Sequence, residues 1–306
     1  MANIEISRAE RLDQRVVAML PQLSRAYAAK LIEGKRVSVN GAFQVKAGYK
    51  MKPNDVVAVD YDPAKEESIP DIDLEIVYED DDCVVINKPV GLLTHSKGAF
   101  NPEPTVATWL RKRCERLDLA HLDNRGDEHM RGLTFHTSRA GIVHRLDRAT
   151  SGVMICAKTP EALSWLQKQF AQRKTKKTYR AVIKGTMNPE AAVIDMPIER
   201  NPKAPATFRV GPQGKHAQTM YRTLATGGGY SLLELKPETG RTHQLRVHLA
   251  HQGAPIVGDV LYNGEPADRL YLHAEELELT ILAGHERKVF RVNTPGGFED
   301  KLKHGS

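Results

Sequence analysis

Gly141-Ile142-Val143-His144-Arg145-Leu146-Asp147-Arg148-Ala149-Thr150-Ser151-Gly152 places a polar knot with a single aspartate between two apolar stretches, Ile142–Val143 and Val153–Ala157. Both stretches read as strands. The knot has two open readings. It is a turn in which Asp147 accepts bonds from Thr150 and Ser151, or it holds a carboxylate at a strand end, where loops carry function.

Outward from this stretch, the signals alternate irregularly. Cys83–Asn87 is an apolar run ended by Lys88-Pro89. After the knot, Thr159-Pro160-Glu161 marks a helix start: a cap, a proline where it does least harm, then an acid in the first turn. Leu163, Leu166 and Phe170 give that helix its apolar face. Tyr179, Ala181 and Ile183 share one face of a strand, and Gln218–Leu224 and Tyr230–Leu235 read as two more. Thr239 is placed to cap a helix over 241–252, with Leu245 and Leu249 inward and Gly253 at its end. Strands near 270–279 and 289–292 follow. Because the order is not a strict βαβ repeat, the expectation is α+β with a mixed, mostly antiparallel central sheet flanked by helices.

Residues 1–60 read as a separate ααβ module. Leu12, Val16, Val17 and Leu20 fall on one helical face; Ser24 is placed to cap a second helix, which Gly34 is placed to end. Val37 and Val39 alternate with Ser38, Asn40-Gly41 is a tight turn, and Phe43 and Val45 continue the alternation. Residues 61–74 read as an acidic linker and 75–306 as a larger domain.

Charge is uneven along the 306 residues. The net of +6 divides into +4 over residues 1–60, −9 over 61–82 and +11 over the remainder. Two basic bodies flanking an acidic strip suit a polyanion, because lysine and arginine that displace counterions supply much of nucleic-acid affinity. No run approaches the roughly eighteen apolar residues of a membrane helix. The opening Met-Ala-Asn-Ile-Glu-Ile-Ser lacks a signal-peptide pattern. Cys83, Cys114 and Cys156 are odd in number and far apart, which argues against a disulfide framework. A cytoplasmic, reduced protein is the expectation.

Two further segments carry unusual chemistry. Thr239-Gly240-Arg241-Thr242-His243-Gln244-Leu245-Arg246-Val247-His248 puts Arg241 in the first turn of the proposed helix, where the dipole disfavours a cation unless an anion binds. Arg173–Arg180 holds five basic groups in eight residues around Tyr179. That is either a solvated face or a groove for unstacked nucleotides. The twelve histidines lack metal-ligand spacing, and phosphate-loop and nucleophile-elbow patterns are absent.

His144-Arg145-Leu146-Asp147-x-x-Thr150-Ser151-Gly152 resembles the catalytic motif of the RluA-type pseudouridine synthases. Ile76–Asp80, Val85–Leu92, Lys177-x-Tyr179-x-Ala181, the segment Thr239–His248 and Leu272-His273-Ala274 resemble that family's other motifs, in its order. The ααβ module resembles an S4 RNA-binding domain, and the likeness spans about Arg11 to Thr294.

The resemblance implies isomerisation of uridine in RNA, most readily in large-subunit (23S) ribosomal RNA, without cofactor or metal. It implies that Asp147 is the catalytic carboxylate, that Arg246 holds it charged, and that Tyr179 stacks on the target base and helps take the C5 proton. Arg145 is implied to fill the space left by a flipped nucleotide. Further substrate contacts are expected from His144, Thr150, Arg241 and Leu245, and from Arg11, Ser24, Arg25, Lys30, Lys35 and Asn40 of the module. The protein is expected to be a monomer without membrane attachment. The competing classes are a tRNA-modifying synthase and a non-catalytic RNA-binding or assembly factor. Residues 121–137 depart from the family pattern as a polar insertion, either a surface loop or an RNA contact.

Overall fold

A computed structural model describes residues 10–20, 23, 25–61, 69–95, 103–113 and 141–303. Ser24, Cys114 and the insertion at 121–137 lie outside them. Among the described residues the chain forms two compact units. One comprises the chain up to Ile72 with the segment His95–Lys112; the other comprises Asp73–Thr94, Arg113 and the chain from Gly141 on.

In the first unit, helices α1 (Leu12–Met19) and α2 (Arg25–Glu33) precede a three-stranded sheet of β1 (Val37–Val39), β2 (Ala42–Phe43) and β3 (Val57–Val59), in the order β2-β1-β3. Leu12, Val16, Ala28, Leu31, Ile32, Val37 and Val39 make its core, as the two periodicities require. Asn40 and Gly41 both have positive φ, 52° and 82°, the geometry of the tightest hairpin turn. Val45 falls outside β2, and Phe43 is exposed. Gly34 does not supply the left-handed residue that ends α2. Lys35 does, at φ 56°, because the Arg36 N–H bonds Leu31 O and the Lys35 N–H bonds Ile32 O, which closes the helix one residue later. Helix α3 (Val106–Arg113) follows.

The second unit is built on one nine-stranded sheet. Its strands are β4 (Glu75–Glu79), β5 (Cys83–Lys88), β6 (Ser151–Ala157), β7 (Lys176–Lys184), β8 (Ala191–Asp195), β11 (Gln218–Gly227), β12 (Tyr230–Pro237), β13 (Leu272–Thr280) and β14 (Arg287–Arg291). The order is β4-β5-β6-β13-β7-β12-β11-β8, with β14 on β13. Among the described residues only the β6–β13 pair is parallel and every other pair is antiparallel, as expected. A separate hairpin joins β9 (Ile198–Arg200) to β10 (Phe208–Val210). Helices α4 (Pro160–Ala171), α5 (Gln244–His251) and α6 (Gly297–Lys303) complete it. Thr159 caps α4 through its hydroxyl, which accepts the Ala162 N–H at 3.2 Å. Leu245 and Leu249 of α5 and Phe298 of α6 pack into the core made by Ala181, Val182, Ile183, Leu233, Leu235 and Leu272.

Candidate active site

Asp147 leaves the sheet just ahead of β6, and the main chain around it is tied down on every side. Gly152 has φ 119° because β13 passes against it: a Cβ there would meet Ala274 O at 2.1 Å. The Thr94 hydroxyl donates to Leu146 O at 2.8 Å. The Thr150 N–H bonds Asp147 O at 3.0 Å, and the Gly91 N–H bonds Arg148 O at 2.8 Å. Three consecutive carbonyls are therefore occupied. Below them Lys88, with no exposed surface, donates its ammonium to Pro89 O at 2.9 Å and Leu92 O at 2.8 Å. Burial brings the Lys88 pKa down to about 7, against the pull of the Asp147 charge.

The knot is thus a built loop, and the local-turn reading holds for the main chain, where the Thr150 N–H bonds Asp147 O, but not for the carboxylate or for Ser151. Thr150 engages only the main-chain carbonyl of Asp147. The Ser151 hydroxyl faces away, onto His273 Nδ1 at 2.9 Å and the Arg269 guanidinium. The Asp147 carboxylate is contacted instead from α5 and the turn before it. Arg246 Nη1 lies 3.5 Å from its Oδ2, and His243 Nε2 lies 3.8 Å from the same oxygen.

Arg246 reaches Asp147 with one nitrogen. Its paired bonds go to Asp259, Nε to Oδ2 and Nη2 to Oδ1, both at 2.7 Å, so only the third nitrogen reaches Asp147. Asp259 is almost fully buried, and a buried carboxylate requires a paired cation. It was not among the expected site residues. One signal pointed to it, a lone acid after the apolar run Ala254-Pro255-Ile256-Val257. The Tyr262 ring lies 5.0 Å from the Arg246 guanidinium carbon and completes the support.

Asp147, His243 and Arg246 open onto a cavity of about 450 Å³. Asp147, Tyr179, Leu245 and Arg246 line it, as do Arg145, His144, Thr150 and Arg241. Tyr179, on β7, has its phenol held above the ordinary 10.0 by burial first and by the Asp147 charge second. Arg145 is exposed, whereas His144 is committed inward: its Nε2 accepts the Ile155 N–H at 3.1 Å and its ring stacks on Phe170 at 4.6 Å. Burial pushes the His144 pKa down to about 3, so it is neutral. The basic run splits in two. Arg173 and Lys177 reach the cavity, while Arg180 is spent on Glu234 at 2.9 Å and Glu275 at 2.7 Å.

Arg241 does not sit in the first turn of a helix, and Thr239 is not a helix cap. His243 takes the left-handed conformation, φ 56°, and α5 begins only at Gln244. The Gln244 carboxamide folds back instead. Its Oε1 accepts the Thr239 hydroxyl at 2.6 Å and the Arg241 N–H at 3.0 Å, closing residues 239–244 into a loop over the cavity. Arg241 Nε donates to His216 O at 2.9 Å.

In the first unit, Arg11 and Arg25 converge on one buried carboxylate, Asp13, at 3.0 and 2.9 Å. Burial raises the Asp13 pKa, and the two guanidiniums outweigh it, leaving a net lowering. Lys30 and Lys35 are exposed. Asn40 uses its side chain to staple the hairpin, donating to Asp55 at 2.8 Å and accepting the Val56 N–H at 2.9 Å.

Comparison with known proteins identifies the family of the chain. The RNA pseudouridylate synthase family matches residues 82–251, and the S4 domain matches residues 10–57. The chain is 37% identical to the ribosomal large subunit pseudouridine synthase D of Yersinia pestis, over 92% of this chain and 81% of that one. It is 38% identical to the protein of that name from Escherichia coli K12, over 84% and 74%. Among solved structures, human RNA pseudouridylate synthase domain containing 4 aligns with a TM-score of 0.56 at 26% identity, covering 75% of this chain and 92% of its own. With the family match spanning more than half of its length and the S4 domain in front, this chain belongs to the RNA pseudouridylate synthases, a family of isomerases.

Proposed function

We propose that the protein converts specific uridines of large-subunit (23S) ribosomal RNA or its precursor to pseudouridine, with Asp147 as the reacting carboxylate in a cavity that takes a flipped-out uridine. One observation carries this reading. The single carboxylate of the family motif stands at a polar cavity with Oδ2 facing Arg246 and His243, and its Oδ1 has no protein partner among the described residues.

The reaction breaks the N1–C1′ bond and joins C5 to C1′. A proton leaves C5 and N1 gains one, so no electrons are exchanged with another reactant. Asp147 acts through Oδ1 on the sugar or the base. Arg246 supplies fixed positive charge beside it. Extruding the uridine costs about a few kcal/mol, which Tyr179 offsets by stacking and Arg145 by occupying the vacated space. Thr150, Leu245 and the 239–244 loop shape the wall, with Arg241 and His144 set in it.

Tyr179 is the less effective acceptor for the C5 proton, because burial and Asp147 hold it as the neutral phenol. A raised phenol pKa keeps the protonated form to higher pH. Single-turnover rates of the wild type and of Tyr179→Phe are therefore expected to run parallel from about pH 7 to 10. A wild-type rate that climbs through this range while the phenylalanine variant stays flat would show a working phenolate.

The residues from 1 to 60 are proposed to guide the enzyme to structured RNA through Arg11, Arg25, Lys30, Lys35 and Asn40, with Ser24 outside the described residues. Residues 61–74 link this module to the catalytic domain at 75–306. We place the protein in the cytoplasm as a monomer.

The test is a pseudouridine map of total RNA from cells with and without the protein. Discrete large-subunit sites should disappear and return with the wild-type chain. Loss confined to tRNA would overturn the rRNA assignment, and an unchanged map would overturn the catalytic one.

A further inference from the structure

His243 is the one residue at the cavity that combines a left-handed backbone with a side chain held from both ends. Its φ of 56° is costly for a residue with a Cβ, and its side chain makes no helix-capping bond that would explain it. The conformation instead delivers the imidazole between Tyr262 and Asp147. Nδ1 lies 2.7 Å from the Tyr262 hydroxyl. Nε2 lies 3.8 Å from Asp147 Oδ2. Phe208 and Tyr262 pack edge-on against the ring, each at 5.6 Å.

The bonds around Tyr262 favour one tautomer of His243. The Phe208 N–H donates to the Tyr262 oxygen at 3.0 Å, and the tautomer in which that hydroxyl donates to His243 Nδ1, 2.7 Å away, gives the phenol proton its acceptor. A neutral imidazole carries one proton, and in that tautomer it sits on Nε2, the nitrogen facing Asp147. Burial chiefly, with Arg246 and Arg145, holds His243 below its ordinary value against the opposing pull of Asp147 and Asp259. The ring is therefore neutral at neutral pH, and its tautomer matters.

We infer that His243 is a positioning residue: its Nε2–H, fixed in that tautomer by Tyr262, orients the Asp147 carboxylate for attack. The inference rests on Asp147 being the reacting group. A lone contact from Arg246 fixes a distance to Oδ2 but leaves the carboxylate plane free to turn. A second donor on the same oxygen decides which oxygen faces the substrate. At 3.8 Å the contact is a charge–dipole interaction, of the long kind that catalytic hydrogen bonds often show before substrate binds. Orientation of a reacting group is worth orders of magnitude in rate.

Two kinds of measurement test it on the full-length chain. Nitrogen-15 NMR of the histidines, with the His243 signal assigned by its loss in His243→Gln, should show Nε2 protonated and Nδ1 bare. Tyr262→Phe should turn this into a tautomer mixture. A wild-type signal with the proton on Nδ1 would overturn the proposal without any activity assay.

In single-turnover assays His243→Phe, which keeps a ring and loses the proton, should slow conversion about 10- to 100-fold, the range for losing a hydrogen bond to a charged group. RNA affinity should stay within about 2-fold. His243→Gln places an amide donor near Nε2 and should recover most of that loss. Tyr262→Phe should slow the wild type but add nothing to His243→Gln, which has no tautomer to fix. Equal losses for the glutamine and phenylalanine variants, or a phenylalanine variant at the wild-type rate, would refute the proposal. Persistent activity in Asp147→Asn would refute the reading of Asp147 instead, and the NMR result would still stand.

Discussion

Asp147→Asn should lower the rate of isomerisation by more than about 10³-fold while leaving RNA affinity within about 2-fold. The substitution preserves shape almost atom for atom, and the backbone bonds that hold the loop come from main-chain groups at 146–148 that it does not touch. What it removes is charge. The oxygen that faces Arg246 Nη1 at 3.5 Å becomes a weaker acceptor, or the amide nitrogen takes its place as a donor against a donor. Neither an amide nitrogen nor an amide oxygen attacks carbon or accepts a proton at neutral pH as a carboxylate does. Binding should persist because the lost group is an anion in a wall that also carries Arg145, Arg173, Lys177 and Arg241, so phosphates lose no partner. The assay is tritium release from RNA bearing 5-³H-uridine, read beside a filter-binding isotherm at fixed salt. Substantial release by the variant would remove Asp147 from the chemistry. Equal losses of release and binding would mean that the carboxylate supports the fold of the cavity rather than the reaction.

Residues whose roles are local could be read from the chain. Thr159-Pro160-Glu161 caps its helix through its own hydroxyl, and Asn40-Gly41 turns with two positive φ angles, because both signals act within four residues. The alternation at Tyr179, Ala181 and Ile183 likewise reads as a strand, although Thr178 and Val182 of its other face are buried as well. The difficulties begin where a side chain at one position satisfies the backbone of another. Thr239 followed by polar residues resembles a helix cap, yet the Gln244 carboxamide takes that hydroxyl and the Arg241 N–H, so the helix waits for His243 to turn left-handed. The same limit applies to the site. Asp147, Tyr179 and Arg246 were legible as family motifs, whereas Asp259, Tyr262 and Lys88 act through contacts made only in the folded unit. A lysine with no exposed surface, bonded to main-chain carbonyls, looks in the sequence like any lysine before a proline.

Asp259→Ala should show how far catalysis depends on a residue that lies outside the cavity lining. The Asp259 carboxylate takes two parallel bonds from Arg246 at 2.7 Å each, with side chains only 1% and 8% exposed. Breaking one side of a buried pair strands the other charge, at a cost of about 3–5 kcal/mol, or roughly 10 °C in Tm for a unit of this size. The guanidinium then has one carboxylate left within reach, Asp147, and should turn toward it. That movement replaces a single contact at 3.5 Å with a closer embrace of the oxygens the reaction needs, so the turnover falls as well, by about 10- to 100-fold. Arg246→Lys reaches a similar end by another route, because an ammonium cannot make the paired bonds that aim the third nitrogen. The two effects separate in the double variant Arg246→Met with Asp259→Leu. Removing both charges together leaves neither member of the Arg246–Asp259 pair stranded, and only the partly exposed Asp147 loses its cation; apolar replacements of a buried pair are often neutral. Its Tm should return most of the way to that of the wild type, while isomerisation stays as low as in Arg246→Met alone. A double variant as unstable as Asp259→Ala would mean that the site needs the ion pair for its shape. Recovered activity would mean that Arg246 is dispensable, and that the charge beside Asp147 does not drive the reaction.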